Sequence, residues 1–134
     1  MATFKLQVVT PDRMFFEGDV VSVIARTTEG DVCIMANHAP YVAALNIGKM
    51  VIKTETETRV CAISQGFVQV AKNEARIVAT TCEFADEIDV DRAIRAKEEA
   101  ERMLEARAAD DKLHKDMELK LKKATNRINL GVRK

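Results

Sequence analysis

The chain has 134 residues, 47% of them hydrophobic and 31% charged, enough apolar material for one core and a small appendage. Its 21 Lys plus Arg balance 21 Asp plus Glu, and with 4% aromatic residues and no Trp it has neither the basic footprint nor the stacking platform of a nucleic-acid binder. No basic segment leads into an apolar run near Met1, and no stretch approaches the roughly 20 apolar residues of a membrane span, so a cytoplasmic location is expected, with any membrane contact made through partners.

Up to about residue 84 the apolar residues alternate, as in Phe4, Leu6 and Val8 against Lys5 and Gln7, or Val68 and Val70 against Gln69. That is the period of half-buried strands. Turn signals recur at Pro11-Asp12, Glu17-Gly18-Asp19, Glu29-Gly30-Asp31, Ile47-Gly48-Lys49, Gln65-Gly66 and Lys72-Asn73-Glu74. With no helical crossovers between them, the short segments predict eight to ten strands in an antiparallel sandwich or barrel. Adjacent Phe15 and Phe16 point to opposite strand faces, so one is expected in the core and the other available to a partner. Tyr41, Val42 and Leu45 are expected in the core. Cys33, Cys61 and Cys82 are too widely spaced for a metal motif and odd in number, and are read as small buried residues.

From Ile88 to about Leu130 there is neither Pro nor Gly, and Ala, Glu, Lys, Arg and Leu dominate. This part is predicted to be helical. Ala108-Ala109-Asp110-Asp111 divides it, with Asp110 or Asp111 placed to cap a second helix. The first helix sets Ala93, Ala96, Ala100, Met103 or Leu104, and Arg107 or Ala108 on one stripe. The second sets Leu113, Met117, Leu121, Ala124 and Ile128 likewise, so the two pair as an antiparallel hairpin. Alanine contributes little buried area, and a hairpin held this way is expected to open easily.

At this point a family resemblance is legible. The run Glu29-Gly30-Asp31-Val32-Cys33-Ile34-Met35-Ala36-Asn37-His38-Ala39-Pro40 resembles the EGxxGIxxxHAP signature of the ε subunits of bacterial F-type ATP synthases. Ser64-Gln65-Gly66-Phe67-Val68-Gln69-Val70 resembles their SGGFxEV strand, and Ile88-Asp89-Val90-Asp91-Arg92-Ala93 is similar to the IDxxRA motif of nucleotide-binding members. Ala124-Thr125-Asn126-Arg127-Ile128 continues the match towards the end. Cys33 stands where the family usually has Gly, and Ala36 where Pro is common. The resemblance implies an N-terminal β-sandwich of about ten strands over residues 1–84, binding the γ subunit and the c-ring. It also implies a C-terminal two-helix hairpin over residues 88–134 that folds against the sandwich or extends to block ATP hydrolysis. Such a subunit would sit peripherally at the cytoplasmic face of the bacterial membrane, coupling catalytic head to c-ring in a proton- or sodium-driven motor.

The resemblance further implies ATP as a regulatory ligand. Asp89 would accept from the adenine or ribose, and Arg92 would meet the phosphates, where helix-start amides also help. Ile88 and Ala93 would wall the adenine and Glu83 would accept from its amino group. Lys123 and Arg127, four apart on the second helix, would close over the phosphates and so favour the folded hairpin. Magnesium is a possible companion of the nucleotide. Glu99 stands where some nucleotide-binding relatives have Arg. The basic run Lys120, Lys122, Lys123, Arg127, Arg133 and Lys134 is expected to meet the acidic C-terminal segment of the β subunit in the extended state. His38 is expected to be a loop residue near the rotor contact, and His114 to face solvent.

An enzyme is not expected, because neither a Walker-type GxxxxGK[ST] nor a GxGxxG occurs and nothing forms a triad with His38. A generic adaptor, with a binding sandwich and a static pair of helices, is the alternative.

Overall fold

A computed structural model describes residues 2–106 and 111–131, without the side chains of 106 and 111–113. It divides into two compact units, Met1–Phe84 and Ala85–Lys134.

The first unit is a nine-stranded sheet folded on itself: β1 Phe4–Val9, β2 Met14–Val20, β3 Ser22–Thr27, β4 Gly30–Met35, β5 Tyr41–Lys53, β6 Thr58–Ile63, β7 Gly66–Ala71, β8 Glu74–Ala79 and β9 Cys82–Phe84. Strand order is β2-β1-β8-β7-β5-β3-β4, with β6 also on β5 and β9 on β6. All pairings are antiparallel except β1 with β8, which run parallel. The whole intervening sheet supplies that connection, so no crossover helix is needed.

The thirteen-residue β5 joins the two layers. Its first half, Tyr41–Leu45, pairs with β7, and its second half, Gly48–Lys53, pairs with β6. Inward positions are odd in the first half, with Tyr41, Ala43 and Leu45, and even in the second, with Gly48, Met50 and Ile52. The register with β3 slips between Ala25 and Thr27 at the same level, so Ile47-Gly48-Lys49 is a bulge inside one strand rather than the expected turn. A Cβ on Gly48 would lie 2.8 Å from Arg26 Cβ, so the bend is tight enough to need glycine. Glu17-Gly18-Asp19 is likewise inside β2 rather than a turn. The Lys72-Asn73 signal does turn the chain. Both residues have positive φ, 51° and 60°, as a two-residue hairpin requires.

Leu6, Val8, Val20, Val23, Ile34, Met50 and Ile77 form the core without measurable exposure. Its buried polar residues are satisfied: the Thr27 hydroxyl donates to Gly30 O at 2.6 Å, and Ser64 accepts from the Thr81 amide at 2.8 Å. Three expectations are corrected. Cys33 is exposed, because β4 alternates and Ile34 takes the inward position. Val42 is 69% exposed on the outward parity of β5, while Leu45 is buried and Tyr41 half-buried. Phe15 and Phe16 are both half-buried against the core.

In the second unit a 3-10 turn, Ala85–Glu87, leads to α1, Val90–Ala106, which packs against α2, Asp111–Gly131. The cap expected of Asp110 or Asp111, and the stripe positions Arg107, Ala108 and Leu113, lie outside the described residues or side chains. Among the described residues no helix is long and apolar enough to cross a membrane.

Candidate functional site

Six of the seven candidate nucleotide residues belong to the helical unit. Asp89 caps α1: its Oδ1 accepts from the Arg92 amide at 3.0 Å, and its carbonyl accepts from Ala93 N at 3.1 Å. A side-chain acceptor at this position satisfies one of the orphan amides of the first turn. The amide that would otherwise face a phosphate is thereby taken. Arg92 is exposed beside it.

Ile88 and Ala93 are buried, at 3% and 0% exposure, and form floor rather than exposed wall. The interface between the helices is made of Ala93 and Ala100 on one side and Met117, Ala124 and Leu130 on the other. Lys97, Met103, Leu104, Leu121 and Ile128 are half-buried. Ala96 is exposed and drops from the expected stripe, because the buried line runs from Ala93 through Lys97 to Ala100, at spacings of four and three.

Gly131 closes the hairpin. A Cβ there would lie 2.5 Å from Val90 Cγ2 and 3.3 Å from Ile88 Cγ2. The contact sets the axial register, with Arg127 about one turn along, roughly level with Ile94, and Lys123 about one turn beyond. Arg127 and Arg92 therefore sit at similar heights, and Lys123 lies further from the start of α1. Both α2 cations are half-buried, whereas Lys120 and Lys122 are exposed, as is Glu99. Arg133 and Lys134 lie outside the described residues. His114, 39% exposed, bonds through Nε2 to Glu118 at 2.8 Å.

Glu83 is half-buried in β9 of the sandwich unit, paired with Ala62. His38 is half-buried, donating from Nδ1 to Ala39 O at 2.7 Å, with its ring edge-on to Tyr41 at 5.8 Å. Among the described residues no three His, Cys, Asp or Glu side chains converge as a metal site.

One surface feature escaped the reading of the sequence. The register aligns Met14 with Val9, Val9 with Val78, Val78 with Phe67 and Phe67 with Ala44. This makes an outward apolar band across five strands, in which Met14 is 49% and Phe67 43% exposed. Val42 lies beside its end. The next row is polar, with Gln7, Arg76 and Gln69 bordering a hollow of about 240 Å³. The available signal was the doubling of apolar residues in Val8-Val9, Phe67-Val68 and Ile77-Val78, where one of each pair has to face out.

Comparison with known proteins follows the same division of the chain. Residues 3–85 match the model described as ATP synthase, Delta/Epsilon chain, beta-sandwich domain, and residues 86–130 match its long alpha-helix domain. The ATP synthase epsilon chain of Ruminococcus albus is 44% identical over 136 aligned residues, covering 100% of both chains.

The chain belongs to the ATP synthase epsilon family.

The epsilon chain of Alkaliphilus oremlandii is 51% identical over 105 residues, 78% of each chain. A chain in the Euglena gracilis mitochondrial ATP synthase structure, OSCP/F1/c-ring, shares the fold with a TM-score of 0.81 at 23% identity, covering 94% of this chain and 79% of that one. Membership makes this protein a non-catalytic stalk subunit of the synthase, and the helical pair is the family's second domain.

The Gly131–Val90 contact yields a directional test. Alanine at 131 favours α2 as a helix by up to about 1 kcal/mol over glycine whether or not the hairpin is closed, but its methyl collides only when the hairpin is closed. Gly131→Ala should therefore speed amide exchange at Ala93 and Ala100 several-fold without lowering helical content. Slower exchange would mean that Val90 accommodates the methyl.

Proposed function

We propose that this family member is a regulatory rotor subunit, peripheral at the cytoplasmic face of the bacterial membrane, in a proton- or sodium-translocating synthase. Its sandwich couples the catalytic head to the c-ring, docking the γ subunit through the apolar band and meeting the c-ring near His38. Its hairpin brakes ATP hydrolysis when it opens. The observation that carries this reading is the thin interface between α1 and α2. Among the described side chains of α1 only the methyls of Ala93 and Ala100 are fully buried, each contributing about 1 kcal/mol. Such a pair of helices can be parted by a competing surface of modest affinity.

In the open state Lys120, Lys122, Lys123, Arg127 and Arg133 would be presented to the acidic C-terminal segment of the β subunit. Individually weak exposed pairs add up there only because several act together.

We further propose ATP as the ligand that favours the closed hairpin. Since the Asp89 cap occupies the Arg92 amide, phosphate recognition falls to side chains, with Arg92 and Arg127 at similar height and Lys123 a turn further. The Asp89 carboxylate then accepts from the ribose or adenine. Ile88 and Ala93 form the apolar floor. Magnesium would accompany the phosphates as part of the ligand.

Deletion from Ile88 onward should leave binding to γ intact and relieve inhibition of ATP hydrolysis by the complex. Equal inhibition by the shortened chain would remove the hairpin from the brake.

Isothermal titration of ATP should show saturable heat, lost in Arg92→Ala. Asp89 needs two variants, since Ala deletes the cap at a cost of about 1 kcal/mol whereas Asn retains it. Weak binding by Asp89→Asn with unchanged stability would place the carboxylate against the nucleotide, and full binding by that variant would confine Asp89 to capping.

Phe67→Asp alters an exposed site, so the thermal midpoint should hold within a few degrees while affinity for γ falls about tenfold or more. Unchanged affinity would move the γ contact off the band.

A further inference from the structure

Strand β9 is the last element of the sandwich unit, and from Phe84 the chain passes directly into the Ala85–Glu87 turn. It is a three-residue edge strand paired with β6. Its start is stitched by Ser64 and Thr81, whose backbone and hydroxyl bonds lie between 2.8 and 3.5 Å. Its end is held by Phe84, whose ring lies 4.5 Å from Phe15 and 3.6 Å from the Arg59 guanidinium carbon.

Between these two anchors lie two thiols. The register sets Cys61 opposite Phe84 and Ile63 opposite Cys82, so Cys61 and Cys82 share one face as diagonal neighbours. At this spacing each thiol bears on the ionisation of the other. Cys61 is buried and Cys82 half-buried. Diagonal Cα atoms stand about 7–8 Å apart, and a disulfide needs about 4.4–6.8 Å. A shift of about 1 Å in a three-residue edge strand closes that gap.

We propose that Cys61 and Cys82 are a reversible modification site, a dithiol that a low-molecular-weight disulfide oxidises when β9 lifts from β6, and whose disulfide then ties β9 to the sheet. In the closed sheet the pair is protected. The neighbouring Cys61 thiol and burial push the Cys82 thiol far up, the Glu83 carboxylate adds to this, and Arg13 acts the other way. Thiolate, the attacking species, is therefore scarce until lifting of β9 removes the thiol contact and the burial. Cys82 Sγ then attacks one sulfur of the small disulfide. A Cys82–S bond forms, the old S–S bond breaks, and the departing thiolate takes up the Cys82 proton. Cys61 Sγ next displaces the remaining small thiol from Cys82, which leaves with the Cys61 proton. Two protein thiols have lost two electrons, and one small disulfide has become two thiols. The spacing of the strands leaves the bond strained and readily reduced, as a reversible site requires.

The test uses the full chain carrying Cys33→Ser, which removes the exposed third thiol. After treatment with oxidised glutathione under native conditions and tryptic digestion without reductant, residues 60–72 should be disulfide-linked to residues 77–92. Adding Phe84→Ala, which frees the end of β9, should speed linkage about fivefold or more. In the linked protein, amide exchange over Cys82–Phe84 should slow about tenfold. Glutathione adducts without the link, or linkage only at urea concentrations that unfold the chain, would overturn the site. A link that leaves exchange in β9 unchanged would overturn the restraint. Should the double variant fail to fold, the first measurement on Cys33→Ser alone still decides the site.

Discussion

The change of parity inside β5 is the constraint on which the sandwich depends. One strand serves both layers, pairing with β7 through Tyr41–Leu45 and with β3 and β6 through Gly48–Lys53. Without the bulge near Gly48, a strict period of two would bury Leu45 and then expose Met50 and Ile52. With it, both halves present their large residues inwards. The same slip fixes what is outside: Val42 and Ala44 take the outward parity of the first half and extend the apolar band, while Lys49 and Val51 take it in the second. A packing requirement at one glycine thus decides which side chains a neighbouring subunit can meet.

The two units are stabilised by different physics. The sandwich is tied by pairings far apart in sequence, such as β1 with β8, and its core residues are wholly excluded from water. Its cooperativity resists partial opening except at short edges such as β9. The helical unit is local, with a capped start, a narrow stripe of small residues and a close approach at Gly131. Each helix satisfies its own backbone, so separating the two costs side-chain contact but few hydrogen bonds. The sandwich and the helical pair therefore differ in how much each would lose on partial opening.

Much of this was legible because the relevant periods are short. Alternation in Phe4–Val8 and Val68–Val70 marked strands, and the loss of Pro and Gly after Ile88 marked helices. The type and order of the elements therefore followed from local pattern. Register did not, because it depends on partners distant in the chain: neither the parallel β1–β8 pairing nor the row Met14–Val9–Val78–Phe67–Ala44 is visible until strands are aligned. The bulge at Gly48 was read as a turn because glycine signals both, and only pairing on either side separates them. Cys33 was read as buried from its apolar neighbours, although alternation with Ile34 already placed it outside. At the candidate nucleotide site the burial of Ala93 follows from its place on the expected stripe, whereas that of Ile88 against Gly131 depends on how the two helices pair.

The cap at Asp89 does not use up the acceptors of its carboxylate. A carboxylate that caps a helix uses one oxygen for the backbone, here Oδ1 towards Arg92 N, and keeps lone pairs on the other for an outside donor. The negative charge next to the positive end of the helix favours the cap but opposes a phosphate at the same place. A polyanion is therefore steered away from the helix start towards the guanidinium groups, and a neutral donor such as a hydroxyl or an exocyclic amine is left to the carboxylate. A ligand that carries both chemistries a few ångströms apart fits this division, and a bare phosphate does not. The electrostatics of a helix cap thus limit which chemical groups the start of α1 can accept.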